Sequence, residues 1–261
     1  NLWDGEIAGT SRQANSELKE LFDGNVPFDT PKPTALLKRI SQLFYGQKDY
    51  IALDFFAGSG STADAVMQLN AEDKGCRRFI MVQLPEPCNE ASAGFQAGFK
   101  TISEVSMDRI RRAGKKIKKI NQQVDVGFRT LKIDTSNMAD VYYAPDALDK
   151  AKFDMFIDNI KPDRTAEDLL FQVMLDWGVD LALPIVKETI QGKAVFFVDG
   201  NALAACFDAS GRVDEDFVKA LAKHQPLRVV FRDAGFKNSA VKINVEQIFK
   251  QLSPSTEVKC L

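Results

Sequence analysis

Residues 50–69, YIALDFFAGSGSTADAVMQL, constrain the fold more than any other stretch of the chain. The short apolar run YIALDFF is bounded by charge on one side and glycine on the other, which predicts a buried strand. Gly58 and Gly60 follow in G-x-G spacing, and a helical apolar pattern runs from about Ser61 to Leu69. Glycines in such a turn let the backbone pass close to a ligand where a Cβ would clash. RRFIMVQL (77–84) reads as a second strand, and FQAGFKTISEVSMDRIRRAGKKI (95–117) as helical for most of its length. Strand, glycine turn, helix, strand, helix is the α/β alternation of a parallel sheet.

The acid at the strand end decides what the turn can bind. A dinucleotide fingerprint places its first glycine directly after the strand and aims the helix dipole at a pyrophosphate. Asp54 at that point repels phosphate and suits a cationic group, such as the amino group of a methionyl moiety. The residues therefore lean to S-adenosylmethionine over NAD. The second strand ends in Gln83 where a dinucleotide fold carries a ribose-binding acid. Glutamine still hydrogen-bonds ribose hydroxyls, without charge assistance. A nicotinamide-dependent oxidoreductase and a plain tight connection with no ligand are the other readings of this turn.

Upstream, NSELKELFD (15–23) predicts a short helix, GNVPFDTPKP (24–33) a loop, and TALLKRISQLFY (34–45) a helix with apolar residues at helical spacing. Beyond residue 120 the character changes. VGFRTLKID (126–134) is strand-like, and TAEDLLFQVMLDWG (165–178) carries a full helix signature: Thr165 as N-cap, Asp168 three later, Gly178 past the end. KAVFFVDG and ALAACFD predict a hairpin around Gly200–Asn201, DEDFVKALAKH and NVEQIFKQL helices, and PLRVVFRDA a strand. Two domains follow: 1–120 around the glycine turn, and 121–261 as a second α/β region without a chemical motif.

The formal net charge of −2 excludes a polycation that coats nucleic acid, so any DNA contact comes from a local patch. Cys76, Cys88, Cys206 and Cys260 show no C-x-x-C spacing and His224 is the sole histidine, which argues against a zinc site or disulfide framework and fits a reducing cytoplasm. No stretch is apolar and long enough to span a bilayer. The opening NLWDGEIAGTSRQ reads as the middle of something longer.

LDFFAGSGSTADAV resembles the cofactor motif of DNA amino-methyltransferases, which often reads D-P-F-x-G-S-G-T-T; here Phe55 replaces the proline and Ser61 a threonine, while Thr62 keeps its hydroxyl. FDTPKPTALLKRI resembles the other half of their pocket, and it precedes the glycine turn, as in the circularly permuted β group. RRFIMVQLPEP, AGFKTISEVSMDRIRRAGKKI and the tail LRVVFRDAGFKNSAVKINVEQIFKQLSPSTEV resemble the modification subunit of type III restriction-modification systems, adenine-N6 methyltransferases. The resemblance covers essentially the whole chain. It implies a Rossmann-like S-adenosylmethionine-dependent methyltransferase sheet followed by a second α/β domain with a subunit-assembly role. It also implies that Phe28, Asp29, Thr30, Lys32 and Pro33 line one wall of an S-adenosylmethionine pocket. Asp54, Phe55, Phe56, Ala57, Gly58, Ser59, Gly60 and Thr62 form the floor, and Gln83 reaches the ribose or adenine end. Partners so implied are double-stranded DNA through the full subunit, a second modification subunit and the restriction (helicase-nuclease) subunit, with no membrane, in a bacterial cytoplasm.

These enzymes grip the target amine with a D/N/S-P-P-Y/F/W tetrapeptide, the aromatic stacking on the flipped base. The chain has no Pro-Pro pair; YYAPDAL (142–148) comes closest and lies after the cofactor motifs. No catalytic residue is assigned, and the chain is expected to be the C-terminal portion of the subunit, inactive alone. The basic stretch RIRRAGKKIKK (109–119) reads either as a phosphate contact or as the solvated end of a long helix, its cations complementing the C-terminal dipole.

Overall fold

The computed structural model describes residues 3–44, 46–139 and 158–261. The chain forms two compact units, residues 1–128 and 129–261. YYAPDAL lies outside the described residues.

The first unit contains α1 (Gly5–Ala8), α2 (Ser11–Leu21), α3 (Thr34–Gln42), β1 (Ile51–Asp54), α4 (Ser61–Asp73), β2 (Arg78–Met81), α5 (Ala93–Gln96) and α6 (Ile102–Ile120). Strands β1 and β2 pair in parallel, Ile51 opposite Arg78 through Asp54 opposite Met81, and α4 connects them. Helix α4 packs against α3, α6 and both strands. That position explains its weak amphipathicity: Ala63, Asp64, Ala65, Val66, Met67, Leu69 and Asn70 are all buried, as in a helix enclosed on several sides. Ala63 and Met67 join Ile110, Ala113, Ile117 and Val124 in one core cluster. Val126 and Phe128 pack on the same cluster, so residues 121–128 go with the first unit.

Two sequence expectations need correction. The run 50–56 is a strand over part of its length, but it is not buried: Ile51, Leu53, Phe55 and Phe56 are exposed, as are Ile80, Val82 and Leu84 along the second run. The cause is the sheet itself, which among the described residues has two strands, with α4 packed against them. Leu53 and Ile80 sit side by side in register on the uncovered face, whereas parallel sheets are normally covered on both faces. Residues 126–134 form no strand, because Val126 and Phe128 turn onto α6 and Leu131 and Ile133 are exposed.

The second unit contains α7 (Ala166–Asp176), β3 (Ile185–Ile190), β4 (Lys193–Val198), β5 (Leu203–Cys206), α8 (Glu215–Ala222), β6 (Arg228–Phe231), α9 (Ser239–Leu252) and β7 (Glu257–Cys260). The sheet order is β3-β4-β5-β6-β7; the first two pairings are antiparallel and the last two parallel. Phe197, Ala204, Cys206 and Phe231 face α8 and α9, while Phe196, Val198, Leu203 and Val230 face Leu169, Leu170, Val173 and Met174 of α7. Central strands buried on both faces read as continuous apolar runs, which is why KAVFFV and ALAAC were legible. Strands β3 and β7 escaped notice because they are largely exposed edges without a continuous apolar run.

Candidate functional site

The turn between β1 and α4 is built by backbone hydrogen bonds that carry the strand pairing past its formal end. Val82 N–H donates to the Asp54 carbonyl at 2.8 Å, Ala57 N–H to the Val82 carbonyl at 3.0 Å, and Gly60 N–H to the Ala57 carbonyl at 2.8 Å. Gly58 and Gly60 hold φ of +52° and +78°, left-handed values that glycine adopts without a Cβ penalty. Gly60 is the N-cap of α4, and an added Cβ there would meet the Ser106 hydroxyl at 2.9 Å, the Ser106 carbonyl at 3.0 Å and Ile110 at 3.2 Å. Helix α6 is thus pressed directly onto the back of the turn.

Asp54 is held from two directions. Phe56 N–H donates to Oδ1 at 3.1 Å and the Thr62 hydroxyl to Oδ2 at 2.6 Å. The carboxylate is fixed at the strand end with lone pairs to spare. The Gly58 N–H donates to Gln83 Oε1 at 2.8 Å, which commits the carbonyl of Gln83 to the turn, while its amide nitrogen donates to the Leu84 carbonyl at a long 3.4 Å and keeps a second N–H. Phe55 and Phe56 pair with ring centroids 5.4 Å apart and are 62% and 80% exposed, so Phe56 is no core residue.

The Lys-Pro loop meets this turn through Phe28. Its ring lies over Gly58, where an added Cβ would be 3.3 Å from Cζ. Pro31 and Pro33 are buried and Lys32 between them is exposed, together with Asp29 and Thr30. Pro33 packs on Gly9, whose Cβ position lies 2.8 Å from Pro33 Cβ. Of the residues singled out in the sequence, Phe28, Asp54, Phe56, Gly58, Thr62 and Gln83 are joined by direct contacts; Asp29, Thr30 and Lys32 face solvent beside them. Together these groups present a fixed carboxylate, aromatic faces, an amide donor and two backbone positions free of Cβ atoms.

The sequence reading missed what stands behind the turn. Arg109 is fully buried, not part of a solvated face. Its guanidinium donates to Asp64 Oδ2 at 3.1 and 3.3 Å and to the hydroxyls of Ser59 at 3.0 Å and Ser61 at 2.6 Å. Glu17 lies 3.5 Å away and accepts from the Thr34 N–H at 3.1 Å, capping α3. The signal was present in the sequence: Val105, Arg109, Ala113 and Ile117 share one face at helical spacing, and the other three are apolar. Further along the basic stretch, Arg112 pairs with Asp108 and Asp23, which raise its pKa, and Lys116 with Glu20. A cavity of about 460 Å³ opens between α2, α4 and α6, lined by Leu21, Gln68, Ala113, Ile117 and Ile120 among others, but by none of the residues expected to hold the cofactor. Its carboxylates are matched by cations: Glu17 and Asp64 by Arg109, Glu20 by Lys116 and Glu72 by Lys38.

Comparison with known proteins adds an independent line. The DNA methylase family, which groups N6 and N4 methyltransferases, matches residues 1–140. The Mod subunit of the type III restriction-modification enzyme StyLTI from Salmonella typhimurium is 45% identical over 131 residues, 49% of this chain and 20% of that protein. The EcoPI Mod subunit of Escherichia phage P1 is 28% identical over 92% of this chain and 37% of its own length. The EcoP15I Mod subunit of Escherichia coli is 30% identical over 95% of this chain and 37% of its own length. The chain thus spans between a fifth and somewhat over a third of these relatives.

Proposed function

The chain belongs to the DNA methylase family, and from that premise we propose that it is the cofactor-binding, C-terminal portion of a type III modification subunit that methylates adenine at N6 in double-stranded DNA. One observation supports the reading: the Phe28 ring lies over Gly58, in the turn that also anchors the Asp54 carboxylate, so the Lys-Pro loop meets the glycine turn as two walls of one pocket would require. The pocket suits S-adenosylmethionine. Asp54 complements the positive charge of its methionyl end, the aromatic faces of Phe28 and Phe56 suit its adenine, and the Gln83 amide suits a ribose hydroxyl. Bound, the cofactor supplies an activated methyl group, and the protein's part is chiefly positioning.

On this reading β1 and β2 belong to a Rossmann-like sheet completed by another segment of the full subunit, which covers Leu53 and Ile80. That segment also carries the tetrapeptide that grips the adenine amine, since this chain has no Pro-Pro pair. The chain alone then binds cofactor weakly and transfers no methyl group. Calorimetric titration with S-adenosylmethionine and with NAD tests the pocket: binding of the first and not the second is expected, and the reverse would assign the turn to a nicotinamide cofactor. Label transfer from radiolabelled cofactor to adenine by the isolated chain would overturn the division of labour.

A second role goes with residues 129–261. They have their own core on both faces of a five-stranded sheet, and the similarity to the EcoPI and EcoP15I Mod subunits runs through nearly the entire chain. We assign them to assembly with a second modification subunit or the restriction subunit, in the bacterial cytoplasm. Deleting them from the full subunit should leave cofactor binding and reduce the oligomer size seen by light scattering; an unchanged size would refute the assignment.

A further inference from the structure

We propose that Arg109 is a positioning residue that fixes the glycine turn and the Lys-Pro loop at the separation the cofactor requires, a role that rests on the cofactor reading above. Burying a guanidinium is costly unless its charge and donors are met. Here they are met by groups from three separate parts of the chain. Ser59 belongs to the glycine turn, Ser61 and Asp64 to the first turn of α4, and Glu17 to α2. The second oxygen of Asp64 accepts from Gln68 at 2.9 Å, which locks that carboxylate on its own helix.

The connection to the other wall runs through Glu17. Its carboxylate lies 3.5 Å from Arg109 and accepts from both the N–H and the hydroxyl of Thr34, at 3.1 and 3.0 Å. Thr34 opens α3 directly after Lys32 and Pro33. Two side chains in series, Arg109 and Glu17, therefore link Ser59 of the glycine turn to Thr34, directly after the Lys-Pro loop. The neighbours of Arg109 on α6, Ser106 and Ile110, abut Gly60 with no room for a methyl group. Helix α6 clamps the turn, and Arg109 sets where the clamp holds. The planar fork of arginine reaches two hydroxyls and a carboxylate at once; the single ammonium of lysine cannot.

The test is calorimetric titration of the chain with S-adenosylhomocysteine, well below any unfolding transition. Arg109→Lys keeps the charge and loses the fork. It should weaken binding by about tenfold, the equivalent of one charge-assisted hydrogen bond no longer holding the turn. Ile117→Ala, in the same helix and core, should lower Tm and leave Kd unchanged. Glu17→Gln leaves the Arg109–Asp64 pair intact, removes the negative charge beside Arg109 and keeps only one of the two oxygens that accept from Thr34; it should weaken binding as well, and serves if Arg109→Lys does not fold. A folded Arg109→Lys or Glu17→Gln variant with the parent's Kd overturns the positioning role and leaves the cofactor reading standing. Equal weakening by Ile117→Ala overturns it too, since the effect would then be loss of stability alone. If the parent does not bind, the cofactor reading fails and the positioning role falls with it.

Discussion

Gly60→Ala should damage the first unit far more than Gly58→Ala, although both glycines hold left-handed φ in the same turn. Moving either position to alanine costs about 1–2 kcal/mol for the left-handed backbone. At Gly58 the new methyl group meets the Phe28 ring at 3.3 Å, a side chain that can yield by a few tenths of an ångström, and the Phe56 carbonyl at an ordinary 3.8 Å. At Gly60 it meets the Ser106 hydroxyl at 2.9 Å and, more seriously, the Ser106 backbone carbonyl at 3.0 Å and Ile110 at 3.2 Å. A carbonyl inside α6 cannot rotate away, so α6 must lift from α4, at an overpacking cost of about 1–3 kcal/mol. The sum for Gly60→Ala is about 2–5 kcal/mol, a large part of a typical domain's stability. Urea denaturation followed by circular dichroism gives the magnitude, and hydrogen exchange of α4 amides assigns it to the first unit. A Gly60→Ala variant no less stable than Gly58→Ala would refute the packing of α6 on the turn.

Other outcomes follow from the same geometry. Gly58→Val should abolish cofactor binding, because a branched side chain at a left-handed position is driven against the Phe28 ring and displaces it; unchanged binding in a titration would misplace the pocket. The isolated chain should self-associate through the face that holds Leu53 and Ile80, 58% and 50% exposed, an exposed apolar patch of the kind that invites association. Light scattering should show Leu53→Lys reducing it, and a parent that stays monomeric at high concentration would count against this. Burial pushes the Cys206 thiol up to about 11, so in the native protein alkylation should spare Cys206 while exposed Cys76 reacts; equal labelling rates would contradict the packing of the second unit. The Asp168 carboxyl is held below its ordinary 3.8, first by the backbone N–H of Thr165 and then by the Thr165 hydroxyl. Its contribution to stability is fully present above pH about 4 and is lost as pH falls through the lower folded value. Asp168→Asn should therefore flatten the acid limb of the stability profile, and an unaltered limb would remove the cap from the account.

Much of this was legible because local rules and tertiary structure agree. The strand-turn-helix at 51–73 follows from an apolar run, two glycines and a helical period. The helix at 166–176 follows from Thr165, Asp168 and Gly178, and the capping box is present as its spacing requires. What was hidden depended on partners distant in sequence. Arg109 sits among Arg111, Arg112, Lys115 and Lys116, and only Ser59, Ser61, Asp64 and Glu17 make it a buried residue. Leu53 reads as core in any parallel strand, yet is exposed here because the second face of the sheet lacks a cover among the described residues. Phe28 gave no signal of its own beyond its place before Asp29 and Lys32; its contact with Gly58 appears only once the loop and the turn are folded together.

Hydrogen exchange of the chain with and without S-adenosylhomocysteine tests the central claim most directly, because it reports both that the ligand binds and where. Slowed exchange should appear at residues 28–32 and 55–62 and next to Gln83, the two sides of the pocket joined by Phe28 and Gly58. Exchange across 158–261 should be unchanged. Protection absent from the glycine turn, or confined to the cavity lined by Leu21, Gln68 and Ile117, would contradict the account.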